Sequence, residues 1–433
     1  TLALCQDVQA EAYDYPESFF EERLWVPRRA RPSEDELSAA VAALRSAERP
    51  LIVSGGGTLY SGATEALKAF AERFGIPVSE TQAGKSSLPA AHDLNMGAIG
   101  VTGTSASNVL AEEADVILAV GSRLQDFTTG SWALFKNETQ TVIGLNTQVF
   151  DAAKHRALPL VADALAGLKD LAADLGGWRA PEAWTAKAKA GRDAWFRDAD
   201  KATGASNALL PSDGQVIGAV QRVMGSEATL VCASGGLPGE LHKLWQAGSP
   251  GTYHLDYGFS TMGYEIAGGL GTKMAKPDKE VVVMLGDGSY LMMNSEIATS
   301  VMLGLKLTIV VLDNSGFGCI NRLQMATGGA NFNNLFRDTL HETLPAIDFA
   351  AHAASLGAIA KKVASIGELE TALAESKAND RTTVLVIDTD PLITTEAGGH
   401  WWDVAVPEVS DRPSVNAARE AYEKALKAQR IVN

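Results

Sequence analysis

This 433-residue sequence lacks any apolar run long enough to suggest a membrane span. Stretches such as LTIVVL stop far short of the roughly 18 residues a span needs. No basic stretch followed by an apolar one opens the sequence. Cysteine is scarce. Cys5, Cys232 and Cys319 are far apart and odd in number, which gives neither a disulfide framework nor metal-ligand spacing and points to a reducing cytoplasm. Positive charge is short as well. The 37 Lys and Arg face 52 Asp and Glu, a formal charge of −15, and no basic run compensates, which argues against a nucleic-acid scaffold. No internal period and no low-complexity tract is present. With 46% hydrophobic and 21% charged residues, the composition is that of a packed globular protein of two or three domains.

What is present is a strand–helix alternation, in two blocks. The opening, TLALCQDVQAEAYDYPE, starts directly on an apolar alternating run and predicts a strand whose partner sheet lies outside the chain. A charged, Pro-punctuated linker follows to about residue 35. The first block has the strands RPLIVS, IPVSET, ADVILAVGSRL, TVIGLN and LPLVAD. ATEALKAFAERFG predicts a helix with Leu67, Phe70, Ala71 and Phe74 on one face and Gly75 as its stop. Residues 171–210 are Ala-rich, charged and helical in pattern, a bridge between domains. The second block holds a capped helix (PSDGQVIGAVQRVM), the strand ATLVCASGG, the Gly-rich helix GYEIAGGLGTKMA and the strands KEVVVML, LKLTIVVLDN and TTVLVIDTD. An aromatic tail, EAGGHWWDVAVPEVS, and an amphipathic helix close the chain. Strands separated by helices imply right-handed crossovers and parallel sheets. The expected organisation is 1–35 remnant and linker, 36–170 first α/β domain, 171–210 helical linker, 211–395 second α/β domain and 396–433 tail.

One stretch, GDGSYLMMNSEIATSVMLGLKLTIVVLDN, raises a question of charge. Asp287 lies in a glycine turn at the carboxyl end of a strand, and a helix is predicted from about Leu291 to Leu303. A parallel strand then ends on Asp313-Asn314. Both acidic turns therefore lie where open α/β sheets bind ligands. Gly286 and Gly288 let backbone approach a ligand closely, and the helix start after Ser289 favours a phosphate. A carboxylate beside a phosphate repels it unless a hard dication lies between. Asp287, the Asn314 side-chain oxygen, a backbone carbonyl and two phosphate oxygens supply the oxygen shell Mg2+ favours. The plainer reading is a glycine turn with Asp287 as a cap; the spacing to a second strand end favours the metal site.

GDG, the 24 residues from Ser289 to Leu312 and a pair ending in Asn resemble the thiamine diphosphate signature. The pair here is Asp313-Asn314, where that family usually has two Asn. The resemblance implies Mg2+ held by Asp287, Asn314 and the Gly316 carbonyl. It implies that Met262 in YGFSTMGYEIAGGLG wedges between the cofactor rings and that the Ser260 carbonyl takes the amino group. Gly236, Leu237 and Pro238 in CASGGLPGELHKLW would lie near the diphosphate with Gly286, Gly288 and Ser289. Phe317 and Gly318 would shape the pocket. The implied fold is two doubly wound parallel-sheet domains, a middle Rossmann-like domain and a C-terminal diphosphate-binding domain. Together with CQDVQAEAYDYPESFF, ETQAGKSSLPAAHDLNMGAIGVTGTSASN, VGSRLQDFTTGS and GGHWWDVAVPEVS, these stretches are similar to the trihydroxycyclohexane-1,2-dione hydrolases of myo-inositol breakdown.

That resemblance implies C–C bond hydrolysis. The cofactor's carbanion would add to a ketone of a cyclic polyol dione, and the opened product would be 5-deoxy-glucuronate. It also implies a cofactor-activating Glu on a preceding pyrimidine-binding domain that is absent here, so the catalytic residue is unassigned and this chain alone is expected to be inactive. Active sites would lie between subunits of a homodimer or homotetramer. The rival readings are a carboligase of the acetohydroxyacid synthase type and a fragment that serves only as a binding subunit. A nucleotide site at Gly55 and Gly57, with Glu80 on the ribose, fails at the bulky Tyr60. His242 and His400 are modest candidates for proton transfer, and Trp401 and Trp402 are either core anchors or part of a lid.

Overall fold

The computed structural model describes residues 2–137, 139–206, 208–344 and 346–430. Thr1, Asn207 and residues 431–433, which fall in the expected remnant, linker and tail, lie outside the described residues. The first sheet is built from β1 (Pro50–Ser54), β2 (Val78–Glu80), β3 (Asn95–Ala98), β4 (Val116–Val120), β5 (Thr141–Asn146) and β6 (Leu158–Val161). The second holds β7 (Thr229–Cys232), β8 (Tyr253–Leu255), β9 (Val281–Gly286), β10 (Thr308–Asp313), β11 (Ile359–Val363) and β12 (Thr383–Asp388). Their orders are β3-β2-β1-β4-β5-β6 and β11-β12-β10-β9-β7-β8. Neighbouring strands pair parallel throughout. The central strands read as unbroken apolar runs because helices cover both sheet faces, and every residue of β1 and β4 is buried. Strand order reverses between β1 and β4 in one sheet and between β7 and β9 in the other. A crevice forms outside the carboxyl ends at such a reversal.

Local signals act as their chemistry requires. The helix Thr64–Phe74 buries Leu67, Phe70, Ala71 and Phe74 and stops at Gly75, whose φ of 68° is left-handed. Ser212 and Gln215 close a reciprocal capping box on the helix Asp213–Met224. Two expectations fail. The opening run is no strand: residues 6–10 form a short helix and residues 2–28 are exposed, because no sheet edge lies beside them to pair the backbone. The helix expected over 291–303 is two helices, Asp287–Met292 and Glu296–Met302. Met293 leaves the helical region at φ −156°, ψ 89°, and the Asn294 amide donates to the Tyr290 carbonyl at 3.0 Å. The helix Ala164–Leu175 carries Leu171 and Leu175 into the first domain's core.

The two sheets share a wall. The helix Glu182–Ala202 sinks Trp184 and Ala188 into the first domain's core and Trp195 and Ala199 into the second's. Residues 80–102 meet the helix Gly236–Leu244: Gln82 Nε2 donates to the Pro238 carbonyl at 3.0 Å and Lys85 Nζ to the His242 carbonyl at 2.9 Å. After β12 the chain returns to the first domain, where Gly399 N donates to Gly103 O at 2.7 Å and His400 N to Val101 O at 3.1 Å.

The glycine turn after β1 proves to be a packing device. A Cβ at Gly55 would stand 2.4 Å from the Gly121 carbonyl oxygen, and one at Gly57 would stand 2.7 Å from the Gly121 Cα. The loops after β1 and β4 thus press together at the first sheet's reversal point, while Tyr60 is 86% exposed. Glu80 is buried and accepts from Ser87, Leu88 and Asn95, so it is turned away from any ribose. Replacing Gly55→Ala is expected to cost about 1–3 kcal/mol, because backbone must move to admit the methyl group. Urea unfolding checks this, and an unchanged midpoint would show that the loops are loosely packed.

Candidate active site

Strand ends place the site. β9 delivers Gly286, Asp287, Gly288 and Ser289, and β10 delivers Asp313 and Asn314. The loop after β7 leads into the helix Gly236–Leu244, and the segment after β8 carries Ser260 and Met262. They surround one cleft of about 810 Å³, toward the upper end of the roughly 300–1,000 Å³ usual for small-molecule sites. Gly236, Leu237, Pro238, Ser260, Met262, Gly286, Asp287, Gly288, Ser289, Asn314, Gly316 and Phe317, the residues that the resemblance assigns to cofactor and metal, all line it.

At its floor Asp287 is 1% exposed. Its Oδ2 accepts the Gly316 N–H at 2.7 Å, while its Oδ1 is buried with no partner, and so is Asn314 Oδ1. Burial first, and the nearby Asp313 carboxylate second, push the Asp287 carboxyl up to about 7, against the pull of surrounding N–H groups. Two unpartnered buried oxygens beside a second carboxylate are costly unless a cation takes them. Among the described residues no three His, Cys, Asp or Glu side chains converge as a metal cluster. The donors are a carboxylate, an amide oxygen and backbone carbonyls, the oxygen chemistry of Mg2+.

Glycine keeps the cradle open. Gly316 has φ 140°, and a Cβ there would meet the Asn334 carbonyl at 2.4 Å; one at Gly288 would stand 2.7 Å from the Phe317 ring. At Gly286 a Cβ meets nothing closer than 4.0 Å, so its backbone faces free space. Ser260 and Ser315 hold left-handed backbone, φ 57° and 60°, without being glycine, a strain that clusters at functional sites. The thiol of Cys319 also lines the cleft and is pushed up by burial, away from reactivity.

The first domain and the tail supply walls that the local patterns did not reveal. Thr102, Gln125, Asp126 and Phe127 face the cleft from the first domain, Thr394 from the end of the second, and Trp402 from the tail. Trp402 Nε1 donates to Asp126 Oδ2 at 2.6 Å, so the tail is tied to the first domain's side of the cleft wall. Asp213 and Arg322 line another wall, where burial pushes the Asp213 carboxyl up to about 7. The sequence shows Asp213 only as the first residue of a capped helix. Both candidate histidines fall away from the chemistry. His242 is 1% exposed, with Nδ1 2.9 Å from Thr102 Oγ1 and Nε2 3.0 Å from the Glu80 carbonyl oxygen, and burial drives its pKa down to about 3. His400 packs against Glu112 and the Trp401 carbonyl. Neither lines the cleft.

Known proteins match the same segments. Residues 37–171 match the thiamine pyrophosphate enzyme central domain, and residues 233–387 match the C-terminal TPP binding domain. A 3D-(3,5/4)-trihydroxycyclohexane-1,2-dione hydrolase of Geobacillus thermodenitrificans is 42% identical over 99% of this chain and 71% of its own length. Proteins of the same name from Bacillus cereus and Bacillus thuringiensis are each 39% identical, over 97% of this chain and 70% of theirs. With both sheets matched in order, and the unpartnered oxygens lying at the strand ends of the second, the chain belongs to the thiamine pyrophosphate enzyme family.

Proposed function

We propose that the protein hydrolyses a carbon–carbon bond, opening the ring of trihydroxycyclohexane-1,2-dione in myo-inositol degradation with thiamine pyrophosphate and Mg2+. The observation that carries the cofactor is the pair of buried, unpartnered oxygens on Asp287 and Asn314; the names of the relatives carry the substrate. Those names favour a hydrolase over a carboligase. The balance is simple. The bond between the two carbonyl carbons breaks, hydroxide from water joins one carbon and a proton joins the other, giving 5-deoxy-glucuronate with one acid and one aldehyde.

When bound, the cofactor supplies a nucleophilic carbon that adds to a ketone and accepts the electrons of the breaking bond. This chain's residues hold and orient. Asp287, Asn314 and the Gly316 carbonyl take the metal. Gly286, Gly288 and Ser289 would bring backbone and hydroxyl to the diphosphate, as would the first turn of the helix Gly236–Leu244, with Gly236, Leu237 and Pro238. Met262 would support the rings and the Ser260 carbonyl would receive the amino group, while Phe317 closes the pocket beside Gly288. The working protein is a cytoplasmic homodimer or homotetramer. No helix among the described residues is long and apolar enough to cross a membrane.

The test is direct. Full-length protein with cofactor and Mg2+ is expected to consume the dione and release acid, with a product heavier by one water. A product formed by joining two substrate molecules, or loss of carbon dioxide, would instead show carboligase or decarboxylase chemistry.

A further inference from the structure

Three segments remote in sequence meet at one lobe of the cleft. Gln125, Asp126 and Phe127 follow β4, Tyr257 follows β8, and Trp402 belongs to the tail. Phe127 lies 5.5 Å from Trp402, edge to face, and 6.3 Å from Tyr257. Arg123 fastens the lobe across the domains, donating to Gln125 Oε1 at 2.9 Å and to the Gly258 carbonyl at 3.3 Å. Rings that served only to anchor the tail would be buried, yet Phe127, Tyr257 and Trp402 all stay half-buried along the cleft wall. Beside them stands the exposed Asp126 carboxylate, with acceptor positions beyond the one Trp402 uses. Half-buried aromatic faces next to a carboxylate and an amide suit a ring whose faces carry C–H bonds and whose rim carries hydroxyls. Tyr257 also lies only three residues before Ser260, whose carbonyl is proposed above to receive the cofactor's amino group.

We infer that Phe127, Tyr257 and Trp402 form the platform for the substrate's carbocyclic ring, and that Asp126 and Gln125 take its hydroxyls. The inference rests on the function proposed above and names the residues that select a polyhydroxylated ring. The Trp402–Asp126 bond makes the tail a part of this subsite, because Trp402 is placed by the same carboxylate that reads the hydroxyls.

The test uses cofactor-loaded full-length protein and the variants Trp402→Ala, Phe127→Ala and Asp126→Asn. Asparagine keeps an acceptor for the Trp402 N–H, so the tail stays docked while the charge is lost. Calorimetric titration with myo-inositol, an unreactive cyclic polyol, is expected to show binding to the wild type that is lost in all three variants; cyclohexanol is expected not to bind. In turnover, KM for the dione is expected to rise about tenfold or more with kcat little changed. Affinity for thiamine pyrophosphate is expected to change less than about twofold, since each tenfold is only about 1.4 kcal/mol. Equal binding of myo-inositol to wild type and variants, no binding to the wild type, an unchanged KM, or a parallel loss of cofactor affinity would each overturn the subsite. Myo-inositol binding that depends on Trp402, in a protein that does not open the dione, would support the subsite and sink the reaction.

Discussion

Asp287→Ala is expected to abolish Mg2+-dependent binding of thiamine pyrophosphate while leaving the cofactor-free protein at least as stable as the wild type. The two effects have opposite signs because the carboxylate is costly until a cation arrives. Its Oδ1 is buried without a partner, and Asp313 adds a second negative charge nearby. Removing one partner of a buried charge interaction costs about 3–5 kcal/mol, which is roughly a 10²- to 4 × 10³-fold loss of affinity. Asp287→Asn is the sharper control. It keeps an acceptor for the Gly316 N–H, which now donates at 2.7 Å, and removes only the charge. Calorimetry with and without Mg2+, beside thermal melts of the cofactor-free forms, reads both signs. Should the variants melt earlier and still bind the cofactor, Asp287 would be a turn cap and the metal would lie elsewhere.

Acid is expected to withdraw the stability that His242 lends the joint between the domains. Burial and the Lys85 cation hold its pKa near 3, against about 6.5 in an unfolded chain. Between those values the unfolded chain takes a proton that the folded protein refuses. The stability His242 contributes is therefore complete above about pH 6.5 and is lost as pH falls toward 3. From pH 6.5 to 4.5 this amounts to about 2–3 kcal/mol. Glu80, Asp213 and Asp287 work against it. Burial raises all three carboxyls, so the folded state holds their protons more tightly and gains stability over the same fall in pH. Lys85, held down to about 8, stays charged throughout this window. The net slope of the wild type is thus smaller than the His242 contribution, and the difference between wild type and His242→Gln isolates it. Urea unfolding at pH 7.0 and 4.5 is expected to show the wild type losing about 2–3 kcal/mol more than the variant. Equal losses would mean that the imidazole is free to protonate in the folded protein.

How far the sequence exposed this architecture depends on where each element lies in a sheet. β4, β5, β9, β10 and β12 are legible because central strands, covered on both faces, must be continuously apolar. β3, β8 and β11 pass unnoticed. All three are edge strands, short or partly exposed: NMGA, YHL and IAKKV, with Lys361 and Lys362 exposed in the last. The candidate site divides in the same way. Asp287 and Asn314 can be read because turn chemistry and strand ends are local. Asp126, Phe127, Tyr257 and Trp402 cannot be read from local pattern as one lobe, since backbone hydrogen bonds between residues 101–103 and 399–400 bring the tail to them, and such bonds leave no mark on side-chain composition. Asp213 is hidden for another reason. Only the packing around it separates a helix-opening aspartate in water from one whose carboxyl is pushed up to about 7.

The return of the tail from the second sheet to the first has a consequence for synthesis. The ribosome makes the first sheet early, and residues 101–103 wait for their partners while some 300 further residues are made. The second sheet can be complete once β12 has emerged, yet the cleft gains its last wall only when Trp402 swings back onto Asp126. A nascent chain therefore owns the cofactor floor before it owns the roof. Messages cut short after β12 would yield a protein with its metal loop in place and one side of its cleft open to water.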